Sequence, residues 1–210
     1  MDFINISLLI VFIPTFFFVS ITPGMCMMLS FSLGLSIGLK KTFYMMYGEL
    51  IGVGLVAASS VVGVATIMLN YPFIFTILKY CGGAYLFYLG IQMFLSKGKM
   101  SINLDECKNT VDISAKKLFM QGFITAIANP KGWAFFIALL PPFIDTNLAL
   151  PLQLATLVFM ILLLEFTCLI IYASGGKTLA KFLKNSSNVK LLNKISGTLM
   201  MGIGIWLAFF

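Results

Sequence analysis

Two charged residues stand where charge is expensive. Lys131 lies fourteen residues from Lys117 and fourteen from Asp145, inside an otherwise uncharged run. At ~1.5 Å rise per helical residue, that is about 21 Å from either end. Glu165 lies twelve residues before Lys177, roughly 18 Å deep by the same rise. A charge at the centre of a bilayer costs ~3 kcal/mol or more, so it faces a bundle interior and finds a partner. Lysine offers a fixed point charge to an anion. Glutamate offers a partner to an ammonium group, or to a proton that it takes up and releases. A structural ion pair between helices is the plain alternative. A pair that also opens to a substrate is the stronger expectation, because ionisable groups inside a membrane mark substrate and ion pathways. Glu49 is eight residues from Lys41, or roughly 12 Å deep. It can act as a gate, or reach the cytoplasmic interface and pair with Lys40 or Lys41.

The same depth holds two interruptions of the backbone. Thr22-Pro23-Gly24 sits near the middle of the first uncharged stretch, and Asn129-Pro130-Lys131 sits within the fourth. Proline removes a backbone donor and clashes with the preceding turn. The half-helices that follow, Met25 to Leu39 and Gly132 to Ile144, would present N-terminal N–H groups towards the midplane. That end carries partial positive charge and favours anions. A packing kink is the alternative at either break taken singly. Two breaks at matching places favour a binding site, and Lys131 adds a full charge to one of them. A carboxylate fits there. Tyr172, seven residues after Glu165, shares its helix face and can donate a hydrogen bond or sit at the interface. Thr22, Asn129, Gln121 and Thr125 are candidate polar lining. Lys79 is expected to snorkel outward.

The elements that must position these groups are membrane helices. Of 210 residues, 60% are apolar and 10% charged, and mean hydropathy is +1.03. Soluble domains carry about 25% charged residues. The apolar runs are continuous, without the period-two alternation of an outer-membrane barrel. A span needs about 20 apolar residues. The first stretch, Phe3 to Leu39, holds 37, too long for one plain span and tight for two, so one broken helix is expected. Further spans are expected at about Thr42–Leu69, Phe73–Leu95, Leu118–Ile144, Leu148–Ser174 and Leu191–Phe210. Asn70-Tyr71-Pro72 and Asp145-Thr146-Asn147 read as short turns, and the stretch carrying Lys177 to Lys190 as a polar loop. The fold class is all-α and polytopic, with six transmembrane helices.

Twelve of fourteen lysines fall in alternate loops. By the positive-inside rule those loops are cytoplasmic and both termini lie outside. The chain reads as one transporter domain: residues 1–96, a cytoplasmic linker 97–114, and residues 115–210. Each half holds three spans and opens with one broken at proline. Three is odd, so the halves must be inverted relative to each other, the sequence pointer to a transporter site near the midplane.

Composition also excludes. The chain has no His and no Arg, so it lacks the commonest metal ligand and general base, and any anion must be held without a bidentate clamp. No metal site or cofactor is expected. The net charge of +7 lies in loops and reads as topology, not as a nucleic-acid surface. Cys26, Cys81, Cys107 and Cys168 form no close pair in sequence and read as reduced bystanders. The N-terminal Met1-Asp2-Phe3 has no basic region, so its apolar run reads as a retained span and not a cleaved signal.

Thr22-Pro23-Gly24, Gly82-Gly83-Ala84-Tyr85-Leu86 with Leu89-Gly90, and Asn129-Pro130-Lys131 followed by Phe135-Phe136 and Leu140-Pro141 together resemble the LysE-type, RhtB-like family of amino-acid exporters. The resemblance covers almost the whole chain, and length and layout agree. Met25 follows Gly24 where the family's usual opening is Pro-Gly-Pro. The resemblance implies a secondary transporter, not an enzyme, that exports amino acids or related small metabolites across a bacterial inner membrane, in exchange for protons. By position it makes Pro23, Gly24, Asn129, Pro130 and Lys131 the central site, with Glu165 acidic in span five and Tyr172 beyond it. The partners are then the lipid bilayer, an amino acid and a proton; a homo-oligomer is left open. Alternatives are an exporter of an inorganic anion or a metal ion, an intramembrane thiol-redox protein that would need facing cysteines, and a structural membrane subunit.

Overall fold

The computed structural model describes residues 6–97, 113–140, 143–144 and 148–209. The expected turn at Asp145-Thr146-Asn147, Pro141, and the linker with Lys99, Cys107 and Lys108 lie outside the described residues. Helices occupy nearly all the rest: α1 (Ile6–Ile21), α2 (Met25–Ile37), α3 (Leu39–Asn70), α4 (Pro72–Leu95), α5 (Ala115–Ile127), α6 (Pro130–Leu139), α7 (Leu150–Ser174), α8 (Gly176–Lys184) and α9 (Ser186–Phe209). Among them α3, α4 and α7 are each long and apolar enough to cross a membrane. The α1–α2 pair is so as one broken span, bent by 59°.

Both expected interruptions are present. α1 stops at Ile21 and α2 starts at Met25, with Thr22-Pro23-Gly24 between them. α5 stops at Ile127, and Pro130 opens α6 at its first turn, where its missing N–H costs nothing. Three expectations need correction. Lys40 and Lys41 are not in a loop. Gly38, at φ 78°, is the whole connection between α2 and α3, and both lysines lie in the first turn of α3. A positive φ suits glycine and lets one residue reverse the path. The expected polar loop after α7 is the helix α8. It buries Ala180 and Leu183 and exposes Lys181 and Lys184, an amphipathic pattern too short to stand out among lysines. α9 starts at Ser186, five residues before the expected Leu191.

The broadest interfaces are α4 on α9 and α3 on α5. Both are made by glycines. A Cβ on Gly197 of α9 would lie 2.6 Å from the Gly90 carbonyl oxygen of α4, and one on Gly204 2.6 Å from that of Gly83. On the other pair, a Cβ at Gly48 would overlap the Phe119 carbonyl, and one at Gly122 the Met45 carbonyl. Helices lacking a hydrophobic drive between them associate by such close packing of small residues.

Two apolar cores are stacked along the bundle. One gathers Phe12, Phe16, Val53, Val56, Phe135, Phe136, Leu157 and Ile161. The other gathers Met27, Phe31, Met45, Met46, Leu118, Leu169 and Tyr172. Along α7, Ile161 belongs to the first core and Cys168 to the second, with Glu165 between them. Along α3, Met46 and Val53 belong to opposite cores, with Glu49 between them. Along the first span, Val19 and Met27 do the same, and the break lies between. The polar groups thus form one layer between two apolar ones. The second core is also where the lysine-bearing ends meet: Leu39 beside Lys40, Leu118 beside Lys117, Ala180 and Leu183 of α8, and Val189 beside Lys190.

Candidate functional site

The polar layer is built around the end of α1. The last four carbonyls of a helix have no partner inside it. Here three of them are bonded by side chains from other elements. The Phe18 oxygen accepts from Thr22 Oγ1 at 2.7 Å and from Ser196 Oγ of α9 at 2.8 Å. The Val19 oxygen accepts from Lys131 Nζ of α6 at 3.2 Å. The Ile21 oxygen accepts from the Tyr172 hydroxyl of α7 at 2.7 Å. Thr22 and Ser196 also bond each other. The carbonyl end of a helix carries partial negative charge, so the Lys131 ammonium is favourably placed there. This is how the lysine is held inside the bundle.

The start of α2 is different. Gly24 at its N-cap has no side chain to bond the first N–H groups. At the start of α6, by contrast, the Asn129 side chain accepts from the Lys131 N–H at 3.2 Å. Of the two half-helix starts, α2 is the one with its positive end uncapped. A Cβ on Gly24 would lie 4.0 Å from Lys131 Nζ, so the uncapped end and the ammonium face the same space.

That space is a cavity of about 580 Å³, open solvent included. Ser20, Thr22, Gly24, Cys26, Asn129, Lys131 and Glu165 give it polar walls, and Phe16, Val53, Val56, Phe135 and Phe136 apolar ones. The Glu165 carboxylate accepts a hydrogen bond from Ser20 Oγ and lies within the field of Lys131. A second space, about 740 Å³ with open solvent included, shares Thr22 and Lys131 with the first. Pro23, Gln92, Ser96 and Asn193 line it, and Asn193 bonds Ser96 at 3.1 Å. Lys131 therefore stands between a chamber at the break and a polar approach from the lysine-bearing end of α4 and α9.

The structure brings Thr22, Gly24, Asn129, Lys131 and Glu165 to one cavity. Pro23 lines the approach instead, and Pro130 is exposed at the start of α6. Tyr172 is 2% exposed and bonded to the α1 end, and does not line the chamber. Gln121 is exposed and Thr125 bonds the Gln121 carbonyl on its own helix. Glu49 reaches neither water nor an interface. It is 0% exposed, and neither oxygen has a hydrogen-bond partner. Its polar neighbours are Glu165 and Cys26.

Residue types alone did not single out Ser20, Ser196 or Cys26. Ser20 sits two residues before Thr22, and Ser196 opens the Ser-Gly pair of the last span; each was a faint signal. Cys26 reads as a bystander in sequence but lines the cavity, where Asn129 Nδ2 approaches its sulfur at 3.8 Å. Cys26, Cys81 and Cys168 are free thiols, Cys81 exposed and the other two buried. Among the described residues no group of three His, Cys, Asp or Glu could hold a metal ion.

Comparison with known proteins finds relatives over most of the chain. An uncharacterized membrane protein of Bacillus subtilis (strain 168), YrhP, is 30% identical over 94% of this chain and 96% of its own. A homoserine/homoserine lactone efflux protein of Salmonella typhimurium is 29% identical over 90% of each chain. A leucine efflux protein of Klebsiella pneumoniae is 23% identical over 91% of this chain and 90% of its own. No solved structure matches the chain significantly. The profile of the family described as LysE type translocator matches residues 17–209, almost the whole chain, and the protein belongs to that family.

Proposed function

We propose that this protein exports amino acids from the bacterial cytoplasm across the inner membrane in exchange for protons. One observation carries the proposal: a cation and an anion, Lys131 and Glu165, line a single chamber beside an uncapped helix start. An amino acid is a zwitterion of matching form. Its carboxylate would lie on the N-terminal N–H groups of α2 next to Lys131, and its ammonium against Glu165. The rings and valines of the same chamber would take the side chain, so small apolar or weakly polar amino acids are favoured. The relatives named for leucine and homoserine efflux fit that range. A simple inorganic anion would meet Glu165 as a like charge, which disfavours it.

The substrate would approach from the cytoplasm through the space lined by Gln92, Ser96 and Asn193. The gathering of lysine-bearing ends at one pole supports a cytoplasmic assignment for that pole, with both termini outside. Two halves, 1–96 and 115–210, opening with α1–α2 and α5–α6, would form six spans in inverted repeat and rock about the polar layer. Matching breaks and the α4–α9 contact support that arrangement.

The test is efflux of labelled leucine, homoserine and a wider amino-acid panel from loaded proteoliposomes, with and without a pH gradient. Efflux of at least one amino acid, accelerated by an inward proton gradient, is expected. No protein-dependent movement across the panel would overturn the proposal.

A further inference from the structure

Glu49 is the charged group that substrate binding leaves over. It does not line the chamber, yet it lies in the same layer, wholly buried, with both oxygens unbonded. Buried polar atoms are bonded almost without exception, and an orphan in a native site calls for an explanation. The titratable groups facing it are Glu165 and Cys168 on α7 and Cys26 on α2. From α5, packed on the same stretch of α3, Gly122 brings no side chain. The cation of the cluster is Lys131 on α6, whose charge acts on Glu165. Two carboxyl groups and one ammonium therefore share the layer between the two apolar cores.

With both carboxyls ionised, the cluster would carry an uncompensated negative charge, and the wholly buried Glu49 carboxylate would face a like charge. One added proton removes both penalties. The cluster sums to zero, and an O–H···O bond between the carboxyls satisfies an orphan oxygen. We infer that Glu49 and Glu165 hold one proton between them, and that the ammonium group of an incoming amino acid displaces it one for one. This rests on the proposed export of amino acids and specifies its coupling. The substrate arrives from the cytoplasm with its ammonium charged, and the shared proton leaves to the cytoplasm: the ammonium replaces the proton's charge between the two carboxyls, while the substrate carboxylate lies on Lys131 and the uncapped start of α2. After the substrate departs outside, a proton from that side reloads the pair. Substrate and proton compete for one site, and the carrier cannot hold both.

Two measurements on the full chain in lipid nanodiscs decide this. The first needs no substrate. Glu49 and Glu165 are the only acidic residues among the described residues, and the other acids of the chain lie in polar segments. Infrared spectroscopy at neutral pH is expected to show a protonated-carboxyl C=O stretch in the native protein. The band is expected to be lost in both Glu49→Gln and Glu165→Gln, since each leaves one carboxylate for Lys131 to balance. No band in the native protein, or a band unchanged in Glu49→Gln, overturns the inference. Should Glu49→Gln fail to fold, Glu165→Gln carries the same comparison. The second measurement is proton release on adding leucine or homoserine in weak buffer, read with a pH dye. One proton per amino acid bound is expected, with the release lost in Glu49→Gln. Amino-acid binding without release overturns the exchange. If no amino acid binds while the band behaves as expected, the shared proton stands and the substrate proposal is what fails.

Discussion

Lys131 Nζ donates to the Val19 carbonyl oxygen at 3.2 Å, which seats the ammonium on the last turn of α1. The hydroxyl of Tyr172 does the same for Ile21 at 2.7 Å. Both residues are caps, but only Lys131 also lines the chamber. Their variants should therefore separate. Leaving a buried carbonyl unbonded costs about 1–3 kcal/mol. Tyr172→Phe is expected to lower the thermal midpoint in detergent and to keep substrate affinity near the native value. Lys131→Met is expected to lower the midpoint and abolish amino-acid efflux. Thermal melts and proteoliposome efflux on the same preparations check this. Equal loss of efflux in both variants would show that Lys131 acts as a cap alone.

Gly24 faces that ammonium across the mouth of α2. Its backbone is extended, at φ −144° and ψ −175°, which any residue can adopt. A Cβ there would make only ordinary contacts, 3.9 Å to the Thr22 oxygen and 4.0 Å to Lys131 Nζ. Gly24→Ala should fold normally and transport with a raised KM, because the methyl group narrows the approach to the N–H groups. Gly24→Leu should fold and not transport, its side chain occupying the place of the carboxylate. Size-exclusion profiles with concentration-dependent efflux test both. Native KM in Gly24→Leu would move the carboxylate site away from α2.

Much of the frame was legible in the chain. Pro23 and Pro130 announce both breaks, because a missing donor and a steric clash act locally and need no tertiary partner. Lys131 and Glu165 announce their layer by depth alone. Glu49 misleads, because its eight-residue distance from Lys41 says nothing of what packs around it, and neighbouring helices leave it 0% exposed. Its closeness to Glu165, like the meeting of Ser196 with Thr22, depends on how distant helices cross, and spacing along one helix does not encode that. Tyr172 shows the converse. Its shared face with Glu165 is real, but the hydroxyl ends on a carbonyl of α1 that sequence could not place.

Thr22 and Ser196 tie the end of α1 to α9. They bond each other and share the Phe18 oxygen. Thr22 also stands between the chamber and its polar approach, so a cycle in which α1 moves against α9 must break this link. Groups in one network show interaction energies of about 0.5–3 kcal/mol in double-mutant cycles. Thr22→Val, Ser196→Ala and the double variant are expected to be non-additive in thermal stability. The double variant is expected to open the approach more often, seen as faster labelling of Gln92→Cys by a water-soluble thiol reagent in a background lacking native cysteines. Additive stabilities with unchanged labelling would reduce the link to local packing.

The glycines between α3 and α5 hold the wall behind Glu49. A Cβ on Gly122 would overlap the Met45 carbonyl and lie 2.9 Å from the Glu49 nitrogen. Both are backbone atoms, so relief requires the helices to separate. Overpacking of this kind costs about 1–3 kcal/mol. Gly63 lies on the same helix α3, exposed, with nothing within 4 Å of its Cβ position. Alanine there gains up to about 1 kcal/mol of helix propensity. Gly122→Ala is therefore expected to melt lower than the native protein and Gly63→Ala at or above it. Because the shift would displace Glu49 from Glu165, Gly122→Ala should also weaken the response of efflux to a pH gradient, while Gly63→Ala leaves it intact. Melts and gradient-driven efflux on the two alanine variants provide the check. A Gly122→Ala protein with native stability and coupling would mean that α3 and α5 are not held at backbone contact in the membrane.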